Sequence, residues 1–171
     1  MSSYPIYTPS LNPSPAVKTV LAWVAGCQAW DVDAIAVTMS DQSYTHEVLP
    51  ATMNLPKSTS KATWLGGFKQ FIHPMFTKWD IIIHDIVEAP GGSVFGHMTS
   101  DGTTTASVPT PSGSTNIGAP FHNEYMLQFT VREEADGVHR IVHIKEFMDT
   151  LSQAKFCKAV GWPAGFGPSL D

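Results

Sequence analysis

The stretch Asn123–Asp149, NEYMLQFTVREEADGVHRIVHIKEFMD, decides how the rest of this chain is read. It holds two long alternating runs joined at Asp136-Gly137. Asp-Gly between such runs is a strong hairpin signal, because a type I′ turn needs φ > 0 at both central residues. A two-residue turn sets Ala135 opposite Val138, Val131 opposite Val142, Phe129 opposite Ile144, Leu127 opposite Glu146 and Tyr125 opposite Met148. Side chains alternate along a strand, so one face collects Asn123, Tyr125, Leu127, Phe129, Val131, Val142, Ile144, Glu146 and Met148. That face is the core face. The other carries Met126, Lys145, Phe147 and Asp149.

Glu146 thus falls among Leu, Phe, Ile and Tyr. A carboxylate there is costly to keep charged, and its pKa is expected to rise. Such a group suits acid–base chemistry near neutral pH. Two alternatives stand beside this reading. Glu146 is held by a structural hydrogen bond, or the turn is one residue longer and flips it outward.

A chain of 171 residues implies one domain. A net charge of −5 without a basic cluster argues against nucleic acid and against an anionic membrane surface. No apolar run is long enough to span a bilayer. The opening MSSYPIYTPSLNPSP has neither a basic nor an apolar segment of the kind a secretory signal needs. Cys27 and Cys157 both sit in apolar helical patterns, which suggests buried, reduced thiols and a cytoplasmic setting. No compact cluster of histidines and carboxylates appears in the sequence, so no metal and no cofactor are expected.

Residues 1–14 read as a flexible arm, 15–160 as the domain and 161–171 as a tail. A helix should open at Ser14-Pro15, with Val17, Val20, Leu21 and Val24 as its stripe and Gly26 weakening or ending it. A second should start at Asp31 and run toward Met39. Ser43–Val48 reads as a strand placing Tyr44, His46 and Val48 on one face. Ser60–Phe76 reads as a helix with Trp64, Phe68, Phe71, Ile72 and Met75 on one side, closed by Pro74. Trp79–Glu88 and Ser93–Thr99 form a second hairpin around Pro90-Gly91-Gly92. If Ala89 faces Gly92, His84 and His97 are cross-strand neighbours sharing a side with Ile82, Ile86 and Phe95. Asp101–His122 is polar and long, a lid over a cavity mouth or a solvated excursion. Thr150 and Gln153 form a capping box for a last helix.

The order helix–helix–strand–helix, followed by long antiparallel strands and a late helix, matches the NTF2-like cone. WDVDAIAVTMSDQSYTHEVLPATM resembles the opening of fungal SnoaL-like proteins. HMTSDGTT, NEYMLQFTVREEADG and RIVHIKEFMDT resemble that family's later strands, so the likeness spans most of Pro15 to Phe156. It implies an α+β fold, a curved antiparallel sheet wrapped around helices that enclose a mostly apolar pocket, and in many members a homodimer. Family activities include cyclisation, dehydration and isomerisation of polyketides, terpenoids and alkaloids. Some members only bind ligands or partners, and the fold does not choose among these.

Within that frame Glu146 is the first candidate for acid–base catalysis and His46 the second. Asp149 resembles the aspartate that some polyketide cyclases carry after the last strand, but it can equally cap the final helix. Tyr44, Asn123 and Tyr125 are candidate donors to a substrate oxygen. His84 and His97 form a possible second polar spot, and Trp64 and Phe68 a hydrophobic wall. A limonene-epoxide-hydrolase site needs an arginine between two aspartates, whereas Arg132 and Arg140 lie by the hairpin tip. A ketosteroid-isomerase site needs a tyrosine on the first helix, and Pro15–Gly26 has none. The expected function is a cofactor-free isomerase or cyclase of a hydrophobic intermediate, with a dehydratase next. The alternative is a non-catalytic binding or accessory module.

Overall fold

Short polar residues start the first three helices. In the computed structural model, which describes residues 4–53, 60–105, 118 and 120–160, Ser14 Oγ accepts the Val17 N–H at 3.1 Å and Pro15 opens α1 (Pro15–Ala29). Asp31 Oδ1 accepts the Ala34 N–H at 2.9 Å ahead of α2 (Val32–Val37). Ser60 Oγ accepts the Thr63 N–H at 3.3 Å ahead of α3 (Lys61–Gly67). Each satisfies a donor that the first helical turn leaves unpaired. Gly26 does not end α1. The helix continues to Ala29 and stops where Trp30 turns left-handed at φ 57°.

α3 is not one regular helix to Phe76. It passes into a π-helical turn, Phe68–Ile72, and closes with α4 (His73–Met75). The wider turn rotates the expected stripe. Phe68 and Met75 are buried, whereas Phe71 is 60 % exposed.

The strands β1 (Thr45–Leu49), β2 (Phe76–Ala89), β3 (Ser93–Thr104), β4 (Pro120–Glu133) and β5 (His139–Met148) form one sheet in the order β1-β5-β4-β3-β2. β2 to β5 are antiparallel, and β1 joins the β5 edge in parallel. α1 lies across the sheet, and Val20, Val24, Ile35, Val94, Phe129, Ile141 and Ile144 form the core between them.

Both hairpin loops are one residue longer than their two-residue readings. At β4–β5, Gly137 N–H donates to Glu134 O and Glu134 N–H to Val138 O, enclosing Ala135-Asp136-Gly137 with Gly137 at φ 78°. Such a turn needs a residue free to take the left-handed region, hence glycine. Alone, the extra residue would turn Glu146 to solvent. A bulge on β5, where Val142 is the extra residue opposite Thr130 and Val131, restores the parity. Val131 pairs with Ile141 rather than Val142, and Phe129, Leu127 and Tyr125 still pair with Ile144, Glu146 and Met148. Ile141 therefore takes the core position expected of Val142.

The β2–β3 hairpin repeats the pattern. Ala89 pairs with Ser93, not Gly92, and the register shifts between Ile83 and Asp85. His97 faces Asp85, and His84 is the extra residue of the bulge. Ile86, opposite Gly96, packs on the core and does not share the histidines' side.

Residues 4–7 of the arm lie along the outer face and edge of β2. The Tyr7 N–H donates to Ile83 O at 2.8 Å, and Tyr4 packs against His84 and His97. The final helix α5 (Thr150–Ala159) is capped by Asp149, whose Oδ1 accepts the N–H groups of Leu151 and Ser152. Thr150 is its first helical residue and not the cap of a T-x-x-Q box. Both cysteines are free and buried. Of the stretch read as a lid or excursion, Asp101–Thr104 and Pro120–His122 are strand, and 106–117 and 119 lie outside the described residues. So does the tail, 161–171. No helix among the described residues is long and apolar enough to cross a membrane.

Candidate active site

Tyr44, just before β1, His46 of β1, Tyr125 and Leu127 of β4, and Glu146 of β5 lie on the inner face of the sheet. β1 pairs with β5 so that His46 lies opposite Ile144 and Val48 opposite Glu146. His46 and Glu146 are therefore diagonal neighbours on one face. The His46 Nε2–H donates to Glu146 Oε2 at 2.7 Å. His46 Nδ1 is then an acceptor, and the Tyr44 Oη–H donates to it at 3.1 Å. This fixes one tautomer, because the carboxylate can only accept. The imidazole also stacks on Trp64, with ring centres 5.8 Å apart and planes 13° apart. Glu146 is thus not the solitary acid that the hairpin alone suggested. Its side chain is 18 % exposed and His46's 3 %.

Glu146 lines a pocket of about 70 Å³, larger than one water needs. Trp23 and Cys27 of α1, Trp64 of α3, Trp79 and Ile81 of β2, Met98 and Ser100 of β3, and Tyr125 and Leu127 complete the wall. The lining is almost wholly apolar, with the carboxylate and two hydroxyls as its main polar groups. Among the described residues no hydrogen bond reaches Glu146 Oε1, so that oxygen is free to meet a ligand. The indole N–H groups of Trp23 and Trp79 also lack partners, a cost of about 1–3 kcal/mol each where donors are buried.

Burial, and after it the negative charge of Glu146, pushes the Cys27 thiol and the Tyr44 and Tyr125 phenols well above their usual ranges. All three stay protonated at neutral pH and act as donors.

The remaining candidates lie elsewhere. Phe68 is buried behind Trp64, stacked on it at 5.3 Å. Asn123 is on the inner face but ties down the last helix: its Nδ2–H donates to Gln153 Oε1, and its Oδ1 accepts the Asp149 N–H. Asp149 caps that helix, and the Ser152 hydroxyl and nearby backbone N–H groups hold its carboxyl below the ordinary range. His84 and His97 do come together, with ring centres 5.0 Å apart, but on the outer face. His84 Nδ1–H donates to Pro5 O and its Nε2 accepts from Thr99 Oγ1, while His97 Nε2–H donates to Glu124 Oε1. None of these histidine nitrogens faces the pocket.

Trp23, Cys27, Trp79, Ile81, Met98 and Ser100 were not legible as pocket residues. Trp23 and Cys27 stand four apart on α1, next to the stripe that was read, and alternation along β3 puts Met98 and Ser100 on one side. Those signals existed, but choosing between two apolar helix faces requires the sheet.

No family model matches the chain, and no curated protein matches it. Solved structures do. AusH from Aspergillus nidulans superposes with a TM-score of 0.64 at 18 % identity, covering 93 % of this chain and 94 % of that one. TerC, crystallised with polyporic acid, gives 0.63 at 15 % identity over 85 % of this chain and 99 % of its own. A candidate SnoaL-like polyketide cyclase from Jannaschia sp. CCS1 gives 0.64 at 16 %, over 92 % and 99 %. The chain therefore has the NTF2-like cone fold that these structures share.

Proposed function

We propose that this chain is a cofactor-free acid–base enzyme that isomerises or cyclises a hydrophobic polyketide, terpenoid or alkaloid intermediate, with dehydration a further outcome of the same proton transfer. One observation carries the reading. Glu146 presents an unpartnered carboxylate oxygen to an apolar pocket while His46 holds the other oxygen. Oε1 takes a proton from a carbon beside a carbonyl. The His46–Tyr44 chain holds the carboxylate in place and stabilises it between turnovers. Returning the proton to another carbon isomerises the substrate. Delivering it to a departing hydroxyl dehydrates it, and attack of the enolate on a second carbonyl closes a ring. Trp23, Trp64, Trp79 and Leu127 supply the apolar surface that keeps water away. The structural neighbours, among them a SnoaL-like polyketide cyclase candidate and a protein crystallised with polyporic acid, support a small-molecule substrate.

A non-catalytic binding module is the second reading, favoured by the small volume of the pocket. In either case a homodimer would use the outer face, where Met126 and Phe147 are Cα partners, 49 % and 50 % exposed. The test follows deuterium incorporation from D2O beside the carbonyl of small cyclic ketones. The native chain should accelerate exchange over buffer and Glu146→Gln should not. Equal acceleration by Glu146→Gln rules out Glu146 as the base, and none by the native chain favours the binding module.

A further inference from the structure

Ser100 and Tyr125 meet across β3 and β4 on the pocket wall. Their strands pair in register, with Met98 opposite Tyr125 and Ser100 opposite Asn123, so the two side chains are diagonal neighbours on the inner face. Ser100 Oγ and Tyr125 Oη are 3.0 Å apart, and Ser100 is 1 % exposed. No other hydrogen bond is made by either hydroxyl among the described residues. Two hydroxyls carry two hydrogens, and their mutual bond uses one. Whichever way it points, one O–H is left without an acceptor among the described residues, in a mostly apolar pocket whose other main polar group is the Glu146 carboxylate. The phenol cannot shed that hydrogen, since burial and the charge of Glu146 both keep it protonated.

We propose that Ser100 and Tyr125 form a seat for a carbonyl oxygen, which makes the ligand a ketone that offers its α-carbon to Glu146. This rests on the acid–base reading for its substrate class, but the seat itself can be tested without any turnover. When Ser100 donates to Tyr125 Oη, the Tyr125 O–H is polarised and becomes the stronger donor to the ligand. The same bond would strengthen as negative charge builds on the oxygen of an enolate. The seat thereby explains why a pocket with one carboxylate also keeps a hydroxyl pair. It holds the oxygen end of the ligand, leaving the carbon end for the base.

The experiment uses two probes of matched shape, cyclohexanone labelled with 13C at its carbonyl and methylcyclohexane, titrated into the full chain by NMR. Bound to the native protein, the carbonyl carbon should move downfield, as a hydrogen-bonded carbonyl does. Tyr125→Phe, which leaves only the Ser100 O–H, should shrink that movement and weaken the ketone by about fivefold, the loss of one neutral hydrogen bond, leaving methylcyclohexane unchanged. Ser100→Ala should weaken the ketone less, because Tyr125 keeps its own O–H. Equal weakening of both probes in Tyr125→Phe would show a packing role and overturn the seat, as would a carbonyl signal that does not shift on binding. Glu146→Gln separates the two proposals. If the downfield shift persists there while the native chain catalyses no exchange, the seat stands and the acid–base reading falls. If exchange is normal and the shift is absent, the reverse holds.

Discussion

Removing His46 should destabilise the fold more than removing Glu146, and removing both should cost less than the two losses summed. His46→Phe keeps the ring stacked on Trp64 but leaves the Glu146 carboxylate and the Tyr44 hydroxyl without their partner. A charge-assisted bond is worth about 1.5–3 kcal/mol, and an orphaned buried hydroxyl costs about 1–3. Glu146 is partly exposed and can turn toward water, which puts its share at the low end. The single variant should lose about 3–4 kcal/mol. Glu146→Leu orphans one imidazole N–H while adding apolar burial, for a net loss of about 1–2 kcal/mol. In the double variant only the Tyr44 hydroxyl remains unpaired, so the total should be about 2 kcal/mol. Since replacing a buried pair by apolar groups is often near neutral, the coupling should come to about 2–4 kcal/mol. Urea unfolding of the four proteins measures it. Additivity within about 0.5 kcal/mol would mean that the 2.7 Å contact contributes nothing, and the positioning role given to His46 would fall with it.

Three further outcomes are expected. In Gly26→Ala the new Cβ would lie 2.9 Å from Ile35 Cγ1 and 3.1 Å from Ile35 N, and Ile35 is fully buried. Overpacking of about 1–3 kcal/mol should exceed the roughly 1 kcal/mol gained in helix propensity, lowering Tm by a few degrees; a rise in Tm would show that α2 yields. Asp149→Asn should keep the cap, and with it stability, whereas Asp149→Ala should lose about 1 kcal/mol by denaturant unfolding. Ketone exchange should be unaffected in Asp149→Asn, and its loss there would restore Asp149 as a catalytic acid. The pKa of Asp136, half-exposed at the hairpin tip, is lowered from 3.8 to about 2 by its bonds to Arg140 and to the Val138 N–H. A depressed carboxylate stabilises the fold above its unfolded pKa, and the effect is lost as pH falls from about 4 through 2. An NMR titration of Asp136 should give a midpoint near 2 in the native chain and a higher one in Arg140→Ala, where only the backbone N–H bonds still lower it; a native value near 3.8 would refute the pairing.

Side-chain alternation and short-range capping carried much of the architecture. Ser14, Asp31 and Ser60 start helices through bonds that reach only three residues, so sequence alone determined where α1, α2 and α3 begin. The inward parity of Tyr125, Leu127, Phe129, Ile144 and Glu146 also followed from sequence, although through a turn that is one residue too short. What restores that parity is the bulge opposite Val131, and nothing local marks it. A bulge bends its strand and is selected by how the whole sheet curves over α1. The same holds at His84, where the shifted register leaves two histidines on the outer face under Tyr4.

The candidate site lay further beyond reach. His46 and Glu146 are 100 residues apart and meet only because β1 docks in parallel on β5, a pairing that no turn specifies. Ser100, buried in a run of small polar residues, carries no signal of its own until β4 brings the Tyr125 hydroxyl to it. Periodicity determines which side of a strand a residue occupies. Which residues then share that side depends on strand order, and strand order is decided by burying the whole apolar face at once.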